Sequence, residues 1–127
     1  MKVLVVENDR PLAEMLRQLI GEWGHSVEVS ETGIRAMQKV AAEFFDMILL
    51  DIFLPDARGY ELIPQIYRLH PETQIVTMTG YNSRDLERKV RKEGVLYFME
   101  KPFDTKTLKQ LIDHVAAAAA RQKEEPR

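Results

Sequence analysis

Short apolar runs alternate with amphipathic stretches along the whole chain. Val3 to Val6 is a continuous, β-branched-rich run that stops at Glu7-Asn8-Asp9, the pattern of a strand buried on both faces. Asp9 is placed to cap a helix and Pro11 suits its first turn; Leu12, Met15, Leu16, Leu19 and Ile20 recur at helical spacing until Gly24. His25 to Ser30 alternates, with Val27 and Val29 on one side, and predicts a short strand. Thr32, Ile34, Met37, Val40 and Ala41 predict a second helix. Asp46-Met-Ile-Leu-Leu-Asp51 brackets four apolar residues with carboxylates and reads as a central parallel strand, followed by a loop from Ile52 to Arg58 that leads to Gly59.

The second half repeats the alternation. Tyr60 to Leu69 carries Leu62, Ile63, Ile66 and Tyr67 at helical spacing, and Pro64, which deletes one backbone bond, predicts a late start or a kink. A fourth strand is expected over Gln74 to Thr79, a polar helix over Arg84 to Glu93 and a fifth strand over Val95 to Met99. Asp104 caps a last helix bearing Leu108, Leu111, Ile112 and Val115, which runs into Ala116 to Ala120. One domain is therefore expected over residues 1–120, with residues 121–127 fraying into a charged tail or the start of a linker. Five strands alternating with five helices across short connections imply right-handed βαβ units and a three-layered α/β fold, its parallel sheet covered on both faces. In such a sheet, ligands bind beyond the carboxyl ends of the strands.

Composition narrows the chemistry. A chain of 127 residues, 45% hydrophobic and 30% charged, fills one domain with a real core. Its net charge of -2 leaves no general field for nucleic acid or an anionic membrane. Arg84, Arg88, Lys89, Arg91 and Lys92 are offset by Asp85, Glu87 and Glu93, which reads as a solvated helix face. There is no Cys, and His25, His70 and His114 lack metal-ligand spacing. The first apolar run is too short for a signal peptide and no stretch approaches bilayer-spanning length. A cytoplasmic protein, touching neither membrane nor nucleic acid directly, is expected.

Glu7, Asn8 and Asp9 follow the first strand, Asp51 the third, Thr79-Gly80 the fourth and Lys101-Pro102 the fifth. Carboxylates crowded at the edge of an apolar sheet require either a held proton or a hard cation, and all-oxygen ligation suits magnesium. With Lys101 balancing the charge, these groups would surround a space of phosphoryl size, the equipment of phosphoryl transfer.

Over residues 2–120 the sequence resembles the receiver domain of two-component response regulators. The resemblance rests on Val5-Val6-Glu7-Asn8-Asp9, Asp51-Ile-Phe-Leu-Pro-Asp-Ala-Arg-Gly59, Met78-Thr79-Gly80 and Lys101-Pro102-Phe103. It implies a flavodoxin-like three-layer sandwich with a five-stranded parallel sheet in the order 2-1-3-4-5. It also implies that Asp51 accepts a phosphoryl group from the phosphohistidine of a sensor histidine kinase or phosphotransfer protein. Thr79, Gly80 and Lys101 would bind the phosphoryl oxygens, Thr79 and Phe98 would form the switch pair, and the Lys101-Pro102 bond would be cis. Glu7, Asn8, Asp51 and the backbone carbonyl of Phe53 would hold magnesium. On this resemblance the chain is a signalling protein that assists its own phosphorylation and dephosphorylation, not an enzyme. Phosphorylation would pull Thr79 toward the phosphoryl group and let Phe98 turn inward. The surface of residues 84–93, 95–99 and the last helix would then change, recruiting a partner or a second copy. Phe53 and Tyr81 flank the expected path of attacking water. Asn8 stands where the family usually has a carboxylate, which weakens the expected magnesium site unless Asp9 substitutes for it; helix capping is the other role for Asp9. Asn8 also supports an alternative, a pseudo-receiver that binds partners without phosphorylation. A flavin or nucleotide enzyme is disfavoured, because no Gly-rich turn follows the first strand.

Overall fold

The computed structural model describes residues 1–124. Its elements are β1 (Lys2–Val6), α1 (Arg10–Glu22), β2 (Ser26–Ser30), α2 (Gly33–Ala42), β3 (Met47–Asp51), α3 (Gly59–Leu69), β4 (Gln74–Thr79), α4 (Arg84–Arg91), β5 (Tyr97–Glu100) and α5 (Thr105–Glu124). The strands form one parallel sheet in the order β2-β1-β3-β4-β5.

Both faces of that sheet are buried, which is why its central strands are unbroken apolar runs. Leu4, Val6, Ile48, Leu50 and Ile75 pack toward Val40 of α2 and Ile63 and Ile66 of α3. Val3, Val5, Met47, Leu49 and Val76 pack toward Leu16 and Ile20 of α1 and Leu108 and Ile112 of α5. Alternate residues of each strand thus feed opposite layers. The expected caps form: the side chains of Asp9, Thr32 and Ser83 accept from the backbone N–H of Leu12, Arg35 and Leu86. Gly24 and Gly94, at φ +96 and +83, take the left-handed turns beyond α1 and α4.

Three expectations are corrected. α3 does not start late: it begins at Gly59 and continues through Pro64 to Leu69. A Cβ at position 59 would collide with the backbone carbonyl of Asp51, so glycine lets the helix start directly against the end of β3. β5 covers Tyr97–Glu100 rather than residues 95–99, because pairing with β4 begins only at Val76 opposite Tyr97. The last helix does not end at Ala120 but runs to Glu124, as an alanine-rich sequence without Gly or Pro at residues 116–124 favours. Residues 125–127 of the expected tail lie outside the described residues.

The register decides what meets above the sheet. Val6 lies beside Leu50, Asp51 beside Met78 and Thr79 beside Glu100. The chain leaves β1 toward β2 and returns to β3 on the other side of β1. The connections therefore diverge over the carboxyl ends of β1 and β3 and leave a crevice.

Candidate functional site

Asp51 ends β3 and is 5% exposed; Glu7, one residue beyond β1, is 1% exposed. Lys101, just beyond β5, bridges them: its ammonium donates to Glu7 Oε1 in a short contact and to Asp51 Oδ2 at 3.2 Å. The Lys101 backbone N–H donates to the Thr79 carbonyl at 2.7 Å, tying β5 to β4 at this point, and the Lys101-Pro102 peptide bond is cis as expected. The other oxygens are also engaged. The Asp9 N–H donates to Glu7 Oε2 at 3.1 Å and the Phe53 N–H to Asp51 Oδ1 at 3.3 Å.

The electrostatics follow from crowding two acids around one cation. Burial, together with the hydrogen bond and charge of Glu7, raises the Asp51 pKa to about 6 against the pull of Lys101. For Lys101, burial alone would lower the pKa, but its hydrogen bond to Glu7 and the charges of both carboxylates outweigh that and raise it. The cluster resists a second full negative charge, and a divalent cation would relieve that resistance.

The expected site residues are distributed unevenly around this cluster. Glu7, Asp51 and Lys101 are in direct contact. Thr79 is fully buried and turned to its own loop: its hydroxyl donates to the Tyr81 carbonyl at 2.8 Å and accepts the Tyr81 N–H at 3.0 Å. Gly80 lies beside Lys101, but a Cβ there would stand 3.9 Å from the nearest side-chain atom, so crowding does not require glycine. Asn8 is exposed, and the exposed carboxylate of Asp9 is used as the cap of α1. Among the described residues no group of three His, Cys, Asp or Glu could hold a metal. The ligands that the resemblance implies, Glu7, Asn8, Asp51 and the Phe53 carbonyl, would offer two carboxylates, an amide oxygen and a backbone carbonyl. Such a set would be all oxygen, the ligand class that suits magnesium, with one charge fewer than a three-carboxylate site.

Phe98, the other expected member of the switch pair, lies inward in this structure. It is 5% exposed, packed in the layer of Leu50 and Ile75 beside Thr77. With no hydroxyl to keep in water, its ring favours burial over an outward position.

Two residues at the rim were not singled out for these roles by the sequence. Asp56 in the loop after β3 accepts from Gly33 N–H at 2.8 Å and Ile34 N–H at 2.9 Å, pinning that loop to the start of α2. Arg58 places its guanidinium carbon 5.0 Å from the centre of the Phe53 ring, which meets Tyr81 edge-on at 6.0 Å. An arginine immediately before a helical glycine, where Ser or Asp would cap, was the available signal.

Comparison with known proteins gives the chain a family context. A family model described as the response regulator receiver domain matches residues 3–113. The chain is 33% identical over 124 residues to the transcriptional regulatory protein ZraR of Klebsiella oxytoca, covering 98% of this chain and 28% of that protein. It spans about a quarter of the length of the curated relatives it matches. Among solved structures, the signal receiver domain of a putative Luxo repressor protein from Vibrio parahaemolyticus is similar at TM-score 0.88 and 28% identity, covering 99% of this chain and 98% of the other. The beryllofluoride-activated NtrC4 receiver domain dimer is similar at TM-score 0.85 and 31% identity, covering 90% and 94%.

Proposed function

The chain belongs to the response regulator receiver domain family, and from that premise we propose that it is a phosphoacceptor whose acceptor atom is a carboxylate oxygen of Asp51. The observation that carries this reading is the buried Asp51 carboxylate beside Glu7, with Lys101 bridging both. An Asp51 oxygen attacks the phosphorus of the donor. The new O–P bond forms as the bond from phosphorus to the donor's leaving group breaks: the P–N bond of a kinase or phosphotransfer-protein phosphohistidine, or the P–O bond of acetyl phosphate.

Each neighbour has a part. The Lys101 ammonium, anchored by Glu7, turns an N–H to the phosphoryl oxygens as Asp51 gives up its charge. The Thr79 hydroxyl reaches the same oxygens by exchanging its bonds to Tyr81, and the exposed backbone of Gly80 is beside it. Glu7, Asn8, Asp51 and the Phe53 carbonyl would hold magnesium. When bound, the ion supplies positive charge for the phosphoryl oxygens. Phe53 and Tyr81, in contact at the rim, shield the acyl phosphate from water.

The signal passes from Thr79 through the β4–α4 loop to the surface of α4, β5 and α5. A partner or a second copy binds there, a reading supported by the beryllofluoride-activated NtrC4 receiver domain, which is a dimer. In this chain Phe98 serves as a fixed wedge of that surface.

The test is to incubate the protein with magnesium and acetyl phosphate and weigh it. A gain of one phosphoryl group, lost in Asp51→Asn, is expected. No gain in the parent would select the phosphorylation-independent binding module that Asn8 favours.

A further inference from the structure

Residue 58 breaks a local rule. It is the N-cap of α3, where Ser, Thr, Asp or Asn normally satisfies a free backbone N–H, yet Arg58 makes no side-chain cap bond. The helix start relies instead on Glu61, whose carboxylate accepts the Arg58 N–H at 2.8 Å, while the Glu61 N–H donates to the Arg58 carbonyl at 2.9 Å. The Arg58 side chain is thus released from the fold. It lies over the ring of Phe53, whose backbone N–H bonds Asp51, and Phe53 touches Tyr81, which holds the Thr79 hydroxyl.

The resulting stack is exposed: Phe53 is 37% and Tyr81 72% accessible, and Arg58 is exposed as well. Among the described residues Arg58 takes part in no ion pair. Lys101, by contrast, is engaged by both Glu7 and Asp51. Two carboxylates against one ammonium leave the metal-free pocket negative toward an anionic donor, and with a divalent ion in place a cation at the rim adds to its pull. Stacking on an aromatic face holds a guanidinium in place without neutralising it. Forgoing a cap for an unpaired cation at the mouth of an acidic pocket is the kind of local inconsistency found at functional positions.

We propose that Arg58 is a positioning residue for the phosphodonor, its guanidinium held on Phe53 to draw the donor's anionic phosphoryl group to the mouth of the Asp51 pocket. The inference rests on the reading of Asp51 as acceptor. Arg58 acts from the rim and does not touch the reacting atoms, so it governs encounter and half-saturation rather than the maximal rate, and it is sensitive to salt.

The experiment measures phosphorylation by acetyl phosphate in magnesium buffer over a range of donor concentrations, for the parent and for Arg58→Ser, Arg58→Gln and Arg58→Lys. The Ser and Gln variants are expected to raise the half-saturating concentration about 3- to 10-fold at low salt, with the maximal rate changed less than about twofold. The difference should shrink in about 0.5 M salt, and Lys should retain most of the parent's behaviour. Arg58→Ser restores a capping side chain and should melt no lower than the parent, which separates this role from a structural one. Equal half-saturation of parent and Arg58→Ser at low salt would overturn the proposal. Should the parent take up no phosphoryl group, the Asp51 reading fails, and Arg58 is then judged by binding alone. Phosphoramidate is titrated into parent and Arg58→Ser and followed by the amide resonances of Phe53 and Tyr81. Weaker binding in the variant sustains the role of Arg58; equal binding ends it.

Discussion

At the scale of single residues, the site is a set of charges that the native state tolerates only in balance. Burial and Glu7 hold the Asp51 pKa near 6, so the native fold resists ionising it even with Lys101 alongside. In magnesium-free buffer at neutral pH, Asp51→Asn should therefore stabilise the protein by on the order of 1 to 2 kcal/mol. Chemical denaturation checks this, and a lower midpoint in the variant would mean that the Lys101 bond outweighs the repulsion. Asn8 has the opposite deficit, offering a dipole where a charge would serve. Asn8→Asp is expected to tighten magnesium by about tenfold. Unchanged affinity on titration would remove Asn8 from the ligand set.

At the scale of elements, the loop between β3 and α3 is the part that must hold still while carrying Phe53 and Arg58. Asp56 fastens it to α2. The N–H groups of Gly33 and Ile34 keep the Asp56 pKa below its ordinary value of 3.8. A depressed carboxylate contributes stability that is complete above its unfolded pKa and is lost as pH falls through the lower folded value. Asp56→Ala should thus lower the melting midpoint by about 2 to 4 °C at neutral pH. The gap between variant and parent should close as pH falls through that lower folded value. A gap that persists in acid would mean the loop is held by packing and not by this carboxylate.

For the whole molecule, the burial of Phe98 ties the expected switch position to the core. Its ring fills the layer that includes Leu50, Ile63 and Val90, so it contributes to the stability of the fold as well as to the face of β5. Phe98→Ala is expected to cost about 3 kcal/mol, seen as an earlier unfolding transition. A cost below about 1 kcal/mol would indicate that the ring spends much of its time outside the core.

The sequence alone determined the five alternating units, because a strand buried on both faces has to be apolar throughout and an amphipathic helix has to repeat near every third or fourth residue. Val3 to Val6 and Met47 to Leu50 could hardly read otherwise, and they place Glu7 and Asp51 at the ends of adjacent strands. Where local pattern and pairing disagree, the tertiary structure decides. Val95 and Leu96 are apolar but precede the ladder, while charged Glu100 lies within it opposite Thr79. Pro64 remains helical because Leu62, Ile63 and Ile66 bury the face of α3 around it. The contacts of Lys101 with Glu7 and Asp51 span 94 and 50 positions of chain, and no local preference encodes them. The hold of Tyr81 on Thr79, the inward ring of Phe98 and the release of Arg58 onto Phe53 likewise depend on what space and partners remain once the layers have packed. Composition and periodicity assign each residue to a layer; only close packing sets which polar atoms face each other at its edge.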